Sequence, residues 1–411
     1  MADVDGDGTA EVLLGSHFAR GYKGGVYVVE AKRLLCGSGS VKAAASVIIE
    51  GASGTNQLGQ IALSSGDVTG DGTPDLVVGG TDARGEDDVA VAVFRGGALS
   101  GTMTPSDAAF VFTGSESTVG GPAHGGLDMD GDGLCEIIYG DEAVSSRAGR
   151  VYLLDADGLS GSVPLSGADR TWDAGESYDQ AGKTLGGADL DGDGYDELFV
   201  AAHADDSAAK NGGAVFVIAG GRSLPASGEL ESRADVVLAG ALDGARLGHG
   251  AAPRAADLDG DGKLDLVIGA PTFGRAYVWL NAGSLSGTYD TDEADITFKG
   301  ASSPEDFGVG LAVGDFTGDG VSDLAIGAPD DITYNPALAD DIGRVYIFDV
   351  TVLGAVAGPS DAIHVLIGDS KSDAFGQSLH AGDLDGNGSA DLLINAPGAS
   401  SLAGRVQVVT F

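Results

Sequence analysis

A nine-residue Asp-Gly pattern occurs seven times along the chain and constrains its fold more than any other feature. The seven copies begin at Asp3, Asp67, Asp128, Asp189, Asp257, Asp315 and Asp383. The intervals between them, 58 to 68 residues, indicate a repeat architecture in which each copy marks one supersecondary unit. An interval of this length fits one propeller blade of four short strands with its connecting loops.

Each repeat reads as four strands arranged around its Asp-Gly loop. A run of small residues such as 58–66 precedes the loop, and a compact apolar run such as 75–80 follows it. An alternating run such as 149–154 comes third, and an outer run such as 235–240 comes last. No segment keeps a helical 3.6-residue period. We therefore predict an all-β fold, a seven-bladed β-propeller of four-stranded blades.

The seven blades are predicted to form a single domain over residues 1–411. Their approximate limits are 1–50, 51–113, 114–173, 174–239, 240–299, 300–367 and 368–411. Only two residues precede the first loop, and the sequence stops at Phe411 after a third strand. We therefore expect the first blade to lack its inner strand and the last blade to lack its outer strand, as in a piece of a longer exported protein.

The acidic residues of each loop have the spacing of a calcium ligand set. In the fifth loop Asp257, Asp259 and Asp261 stand at positions 1, 3 and 5, and Asp265 stands at position 9. This is the spacing of EF-hand ligands, with Gly262 at the sharp turn and a backbone carbonyl expected from position 7. Carboxylate-rich, flexible sites of this kind favour Ca²⁺ over Mg²⁺.

The predicted metal ligands occupy positions 1, 3, 5, 7 and 9 of all seven loops. They are Asp3, Asp5, Asp7, Thr9, Glu11; Asp67, Thr69, Asp71, Thr73, Asp75; Asp128, Asp130, Asp132, Leu134, Glu136; Asp189, Asp191, Asp193, Tyr195, Glu197; Asp257, Asp259, Asp261, Lys263, Asp265; Asp315, Thr317, Asp319, Val321, Asp323; and Asp383, Asp385, Asn387, Ser389, Asp391. Plain Asp-Gly turns would not preserve the acids in seven copies. A dockerin loop would place its last acid at position 12 and lead into a helix.

The seven loops differ in their number of carboxylates. Thr69 and Thr317 replace Asp at position 3, and Asn387 replaces Asp at position 5. We expect up to seven calcium ions, with tighter binding at the first, third, fourth and fifth loops than at the other three.

The charge of the chain excludes two classes of partner. Its 62 acidic and 22 basic residues give a formal net charge of −40, which repels nucleic acid and anionic membranes. No segment approaches the ~20 apolar residues of a membrane span. The first twelve residues have neither the basic nor the apolar region of a signal peptide. We predict no nucleic-acid binding, no membrane insertion and no signal peptide in this chain.

Short motifs on both sides of the loops resemble those of the FG-GAP repeat. The first motif appears as Phe307-Gly308 and Phe375-Gly376, with variants Leu58-Gly59, Val119-Gly120, Ala181-Gly182 and Leu247-Gly248. The last appears as Gly269-Ala270-Pro271, Gly327-Ala328-Pro329 and the variant Asn395-Ala396-Pro397. The chain is similar to the FG-GAP propeller of integrin α subunits and their bacterial relatives. The resemblance implies calcium loops on one rim and ligand docking on the opposite face.

Two sets of residues outside the loops have predicted roles. On the layout implied by the resemblance, exposed residues of the ligand face are Arg20, Tyr22, Arg84, Tyr178, Lys210, Phe273 and Tyr334. An arginine recurs just before the third strand, at Arg150, Arg275, Arg344 and Arg405, and a repeated position favours structural ion pairs.

The resemblance implies an extracellular or cell-surface, non-catalytic module for adhesion or ligand binding, with a protein or glycan partner on the face opposite the calcium loops. No nucleophile elbow and no His-rich metal motif occurs in the sequence, so we predict that the chain is not an enzyme. The alternative is an accessory propeller of a larger secreted hydrolase or lyase. Lyase activity of the propeller itself is disfavoured by the scarcity of Lys and Arg.

Overall fold

The computed structural model describes residues 2–16, 24–35, 38–51, 58–59, 63–80, 89–114, 121–156, 158–301, 306–329, 342–399 and 404–411. These residues form seven β-sheets joined by loops and a few short helical turns. The fold is an all-β, seven-bladed β-propeller with blades of three to five strands, which confirms the predicted fold class.

In the described ranges, the seven sheets contain thirty-one strands. The first three repeats contain β1 (Glu11–Gly15), β2 (Gly25–Glu30), β3 (Val47–Glu50), β4 (Leu63–Gly66), β5 (Asp75–Gly79), β6 (Val89–Phe94), β7 (Gly101–Met103), β8 (Phe110–Thr113), β9 (Ala123–Leu127), β10 (Glu136–Asp141), β11 (Arg150–Leu154), β12 (Gly161–Pro164) and β13 (Arg170–Asp173). The next two contain β14 (Ala181–Ala188), β15 (Glu197–Ala202), β16 (Ala214–Ile218), β17 (Ser227–Glu229), β18 (Val236–Ala239), β19 (Arg254–Ala256), β20 (Asp265–Ala270), β21 (Arg275–Trp279), β22 (Gly287–Asp290) and β23 (Ile296–Lys299). The last two contain β24 (Gly310–Gly314), β25 (Asp323–Ala328), β26 (Arg344–Phe348), β27 (Val356–Ala357), β28 (His364–Ile367), β29 (Leu379–Gly382), β30 (Asp391–Ala396) and β31 (Arg405–Val409).

Within the described residues, helical structure is limited to single turns. The α-helical turns are Ala31–Leu34, Val41–Ala44 and Leu230–Arg233, and Val144–Arg147 is a turn with three residues at positive φ. The 3₁₀ turns are Pro105–Asp107, Leu165–Gly167, Pro271–Phe273, Ala282–Ser284, Val350–Val352 and Pro359–Asp361. No helix in the described ranges has the length and apolar character needed to cross a membrane.

The chain divides into two compact units. The first comprises Met1–Leu185, Gly194–Val200 and Ile218–Ala234, and the second comprises Gly186–Asp193, Ala201–Val217 and Asp235–Phe411. Sheets of the first unit have the strand orders β1-β2-β3-β7, β4-β5-β6-β8-β12 and β9-β10-β11-β13-β17. Sheets of the second unit have the orders β19-β20-β21-β23-β27, β24-β25-β26-β28 and β29-β30-β31. The sheet that is fourth in chain order is β14-β15-β16-β18-β22.

Five sheets carry an outermost parallel strand that the sequence did not reveal. The parallel pairs are β3 with β7, β8 with β12, β13 with β17, β18 with β22 and β23 with β27. Each added strand comes from the segment between the third and fourth strands of the following repeat. The prediction of four strands per blade missed it because two to four residues are too few to display alternation.

The end blades agree with the sequence prediction. The first sheet starts with β1, which follows the first Asp-Gly loop, so its inner strand is absent from the described residues. The last sheet consists of β29, β30 and β31, which correspond to the first three strands of a blade.

The core of each unit lies between neighbouring sheets. The second strands are the most buried, as in Asp265–Ala270, where all six residues are inaccessible to water. In the second unit Phe298, Phe307 and Phe348 belong to one buried cluster, and the rings of Phe298 and Phe348 lie 4.8 Å apart. Aromatic and β-branched side chains are well suited to fill the space between pleated sheets.

Backbone contacts between glycines explain the FG-GAP motifs physically. A Cβ at Gly327 would lie 2.0 Å from the carbonyl oxygen of Gly376, and a Cβ at Gly269 would lie 2.1 Å from that of Gly308. Gly308 and Gly376 themselves have φ values of 97° and 95°. The N–H of Gly308 donates to the carbonyl of Gly327 at 2.9 Å. Only glycine permits this approach, since any side chain would separate the neighbouring blades.

Candidate metal centres in the Asp-Gly loops

The acid at position 1 of each loop organises the turn through backbone hydrogen bonds. In all seven loops its Oδ1 accepts the N–H of the glycine at position 4, at 2.6 to 2.9 Å. In the fifth loop, for example, Asp257 Oδ1 accepts from Gly260 at 2.8 Å and Oδ2 accepts from Gly262 at 2.9 Å. These bonds turn the chain so that the acids of one loop converge.

Glycine is required at positions 4 and 6 of the loops because both residues have left-handed backbone conformations. Their φ values lie between 73° and 94° in all seven copies. The sequence prediction assigned this role to position 6 alone. The recurrence of glycine at position 4 was visible in the sequence and could have predicted the second left-handed residue, because glycine adopts this conformation most readily.

The acid at position 9 is the first residue of the second strand and is buried in every loop. These residues are Glu11, Asp75, Glu136, Glu197, Asp265, Asp323 and Asp391. In at least six loops one of its oxygens accepts the N–H of position 2, at 2.6 to 3.1 Å. Sequence spacing predicted that this acid is a ligand but did not reveal that it is removed from water.

The residue at position 2 of every loop is apolar and buried, and the sequence analysis assigned it no role. The residues are Val4, Val68, Met129, Leu190, Leu258, Phe316 and Leu384, and all are buried. Val4, Val68, Leu258 and Phe316 belong to buried apolar clusters, which anchors one end of the acidic turn in their loops. The repeated apolar residue between two acids was the available signal.

Several buried carboxylate oxygens have no hydrogen-bond partner. Glu11 Oε1, Asp130 Oδ1 and Asp391 Oδ1 are enclosed without a donor. In two other loops the corresponding oxygen is satisfied, because Asp75 Oδ1 accepts the N–H of Gly96 and Asp265 Oδ1 accepts that of Asn281. A buried oxygen without a partner fits a cation ligand, since unpaired polar groups in protein interiors are rare.

Five loops bring ligand atoms of at least three acids within 4.8 Å of one another. The groups are Asp3, Asp5 and Glu11; Asp128, Asp130, Asp132 and Glu136; Asp189, Asp191 and Glu197; Asp257, Asp259 and Asp261; and Asp383, Asp385 and Asp391. In these five loops the structure thus brings together part of the predicted ligand set. Such a donor set, composed of oxygen atoms with multiple negative charges, fits Ca²⁺ by hardness and number of ligands.

The second and sixth loops form no such group in the described residues. Both have threonine at position 3, and the backbone N–H of Thr69 and of Thr317 each donates to the position-9 carboxylate at 2.9 Å. In the second loop Arg95 also contacts the Asp71 carboxylate at 3.7 Å. Asp385 of the seventh loop makes the same type of backbone bond at 3.2 Å, so the second and sixth loops differ from the others chiefly in the missing carboxylate at position 3.

Burial disfavours the ionised form of position-9 carboxylates. Loss of solvent, assisted by nearby acids, raises the pKa of Glu11 to about 7 and that of Glu136 to about 7. Burial also raises the pKa of Asp323 to about 6. The charged form of a buried acid near other acids is unfavourable until an opposite charge is present.

The residues predicted outside the loops are only partly described. Arg20, Tyr22, Arg84 and Tyr334 lie outside the described residues. Tyr178, Lys210 and Phe273 are exposed, which agrees with a surface role but does not test ligand contact.

The structural role predicted for the recurrent arginines is confirmed at two positions. Arg150 pairs with Asp173 at 2.6 Å, and Arg405 contacts Asp369 at 2.6 Å and Asp373 at 3.0 Å. Arg150 joins the start of β11 to the end of β13 in the same sheet, whereas Arg405 joins the start of β31 to acids in the segment between β28 and β29.

Two repeat families match the second half of the chain. Residues 189–268 and 257–326 match the FG-GAP-like repeat, and residues 307–348 and 375–409 match the FG-GAP repeat. These matches cover the fourth to seventh Asp-Gly loops, so they include three of the five acid groups described above.

Several curated relatives contain a similar region. Integrin alpha-7 of Rattus norvegicus is 37% identical over 169 residues, which are 38% of this chain and 13% of the relative. Integrin alpha-3 of Cricetulus griseus is 32% identical over 179 residues, or 40% of this chain and 16% of the relative. Phosphatidylinositol-glycan-specific phospholipase D of Rattus norvegicus is 36% identical over 158 residues, or 35% and 18%.

The matched regions thus span less than a fifth of each of these relatives. Repeats, glycine contacts and sheet architecture point to the same conclusion as the similarities. The chain is an FG-GAP repeat protein that resembles the β-propeller of integrin α subunits.

Proposed function

We propose that the chain is a calcium-binding extracellular β-propeller that acts as a non-catalytic adhesion or ligand-binding module. The observation that carries the calcium assignment is the buried, unpartnered oxygen of Glu11 and of Asp391, each within a group of three acids. In the first loop Asp3, Asp5 and Glu11 would hold the ion. A calcium ion would place a positive charge beside the buried Glu11 carboxylate. Because the ion would bind several residues of the loop at once, it would hold the loop in one conformation.

Calorimetric titration of chelator-treated protein with Ca²⁺ is expected to resolve two classes of site. The first, third, fourth and fifth loops carry four carboxylates each and should bind more tightly than the remaining three. The Thr69 and Thr317 substitutions, with their hydrogen bonds to position 9, support the weaker assignment of two of these. Seven indistinguishable sites would contradict the ranking.

A ligand-binding role is supported by the similarity to integrin α subunits. We propose that a protein or glycan ligand docks on the face opposite the calcium loops. Extracellular calcium is abundant enough to fill sites with dissociation constants of ~10⁻⁴–10⁻³ M, so the loops would be occupied outside the cell.

The full chain is expected to bind at least one component of a panel of matrix proteins and glycans, and to lose that binding in EDTA. Substitution of exposed residues on the proposed ligand face, Tyr178→Ala and Phe273→Ala, should weaken the interaction. Val352→Ala is the control, because Val352 is exposed but belongs to no predicted ligand surface. Binding that survives both chelation and the two substitutions would refute the assignment of that face.

A second candidate is an accessory propeller within a larger secreted hydrolase. It is supported by the 36% identity to phosphatidylinositol-glycan-specific phospholipase D over 158 residues. Genomic sequence on both sides of this coding region discriminates the two. A neighbouring catalytic domain in the same reading frame favours the accessory role, whereas an anchor or further repeats favours adhesion.

A further inference from the structure

Consecutive Asp-Gly loops are joined to one another through the residue at position 8. In at least four pairs of neighbouring loops, the backbone N–H of position 8 donates to the backbone carbonyl of position 1 in the preceding loop, at 2.7 to 3.2 Å. The donors and acceptors are Cys135 to Asp67, Asp196 to Asp128, Ser322 to Asp257 and Ala390 to Asp315. These bonds are separate from the acid groups, and the sequence analysis assigned no role to position 8.

The same four pairs of loops share a side-chain contact. A Cβ placed on the position-4 glycine would lie 2.4 to 3.3 Å from the position-7 side chain of the following loop. The glycines and side chains are Gly70 with Leu134, Gly131 with Tyr195, Gly260 with Val321, and Gly318 with Ser389. Positions 7 and 8 of one loop therefore lie against positions 4 and 1 of the loop before it.

The first and second loops are not joined in this way, because position 8 of the second loop is Pro74. Proline has no backbone N–H to donate. The position-4 glycine of the first loop, Gly6, faces the backbone of Gly97 at 3.6 Å and not a position-7 side chain. The chain thus contains a natural comparison between linked and unlinked loops.

One peptide group belongs to both loops of a linked pair. The peptide between positions 7 and 8 contains the position-7 carbonyl, which is the expected calcium ligand of its own loop. It also contains the position-8 N–H, which donates to the preceding loop. When the carbonyl ligates a cation, the peptide is polarised and its N–H becomes a stronger donor, just as hydrogen bonds in a chain polarise one another. Occupancy of one loop therefore strengthens its link to the loop before it.

In the sixth and seventh loops this link reaches the acid that organises the turn. The Ala390 N–H donates to the Asp315 carbonyl at 2.7 Å. The Asp315 carboxylate in turn accepts the N–H groups of Gly318 at 2.6 Å and Gly320 at 2.8 Å. The seventh loop contains a group of three acids and the buried, unpartnered Asp391 Oδ1, whereas the sixth loop forms no such group in the described residues. A convergent acid group is thus joined directly to an incomplete one.

We propose that calcium binding at linked loops is cooperative, and that the seventh loop raises the calcium affinity of the sixth; this rests on the proposed calcium-binding function. The 389–390 peptide is already held when the seventh loop is occupied, so a smaller ordering cost remains for the sixth. Repulsion between neighbouring ions is limited, because each loop carries at least three carboxylates against the two charges of its ion. The coupling is reciprocal, since linked binding equilibria affect each other by the same factor.

Hydrogen exchange of the full chain, followed by mass spectrometry over a calcium titration, gives a separate binding midpoint for each loop. Asp385→Asn removes a seventh-loop acid but keeps an oxygen that can accept the Asn387 N–H. It should raise the calcium midpoint for protection of residues 315–323 by about fivefold or more. Asp319→Asn in the sixth loop should raise the midpoint of residues 383–391 by a similar factor.

Ala390→Pro is the variant that breaks the link, because it reproduces Pro74 at the same loop position. It removes the N–H and leaves the acids of both loops in place. The sixth-loop midpoint should rise as it does in Asp385→Asn, and the double variant should show no further rise. The melting temperature of each variant in EDTA verifies folding.

Asp71→Asn in the second loop is the matched control, because Pro74 cannot link that loop to the first. The Asp71 carboxylate accepts the N–H two residues ahead at 3.0 Å, as that of Asp385 does. The calcium midpoint of residues 3–11 should not change in this variant.

Three results would overturn the cooperative link while leaving calcium binding intact. They are an unchanged sixth-loop midpoint in Asp385→Asn, additive effects of Asp385→Asn and Ala390→Pro, and an equally large shift of the first-loop midpoint in Asp71→Asn. Absence of calcium-dependent protection in every loop would instead refute the proposed calcium-binding function together with the link.

Discussion

Chelation with EDTA is expected to lower the melting temperature of the protein by roughly 10 °C or more, and millimolar Ca²⁺ is expected to restore it. Each loop carries three or four carboxylates, of which the one at position 9 is buried, and in five loops at least three of them lie close together. Without a cation these charges repel one another and lack solvent. Since the unfolded chain does not preserve the convergent arrangement, calcium stabilises the folded state by about 2.7 kcal/mol for each site at a hundredfold excess over Kd.

Scanning calorimetry of one preparation in three buffers measures this effect. EDTA, excess Ca²⁺ and an equal concentration of Mg²⁺ are compared at constant ionic strength. Magnesium should restore less stability, because it demands a smaller octahedral site and gives up water reluctantly. A melting temperature indifferent to chelator would show that the Asp-Gly loops are turns without a metal role.

Asp257→Ala is expected to lower the free energy of unfolding in calcium by about 2–4 kcal/mol. Its carboxylate accepts the N–H groups of Gly260 and Gly262, and it belongs to the acid group of the fifth loop. Alanine removes both acceptors and one proposed ligand. Urea unfolding in Ca²⁺ and in EDTA measures the loss, which should be larger in calcium because the ion is lost with the acid.

Asp295→Ala is the matched control for this substitution. Asp295 lies in the same repeat and also accepts one backbone N–H, that of Leu280 at 2.8 Å, but it stands outside the loop. Its replacement should cost less and should cost the same in both buffers. If the two variants respond equally to calcium, the fifth loop is not a calcium site.

Much of the architecture was predictable because it depends on repeats and on short apolar runs that are visible in the sequence. The seven copies of the repeat predicted seven blades. The apolar run from Asp265 to Ala270 predicted a buried second strand, and the structure confirms that strand. The smaller strand number of the first and last sheets was also predictable. Because each repeat has the same order of strands, a strand that is not present in a repeat can be recognised from the sequence. These features depend on neighbours in sequence, which a single chain displays directly.

Features that depend on contacts between repeats were not predictable from the sequence. The parallel strand at Gly287–Asp290 pairs with residues about fifty positions earlier, and its four residues carry no strand signature of their own. Likewise, the acid spacing revealed that Glu11 is a candidate ligand, but not that one of its oxygens is buried without a donor. Burial is set by the packing of neighbouring sheets, which spacing does not report.

The parallel strands have a consequence for how such a chain can be cut, duplicated or recombined. Each repeat delivers part of itself to the preceding sheet, as β22 does to β18 and β27 does to β23. A boundary drawn between two sequence repeats therefore passes through a hydrogen-bonded sheet. Cutting the chain between two repeats would remove the covering strand from the sheet before the cut, so the limits of a sequence repeat and the limits of a folded sheet do not coincide.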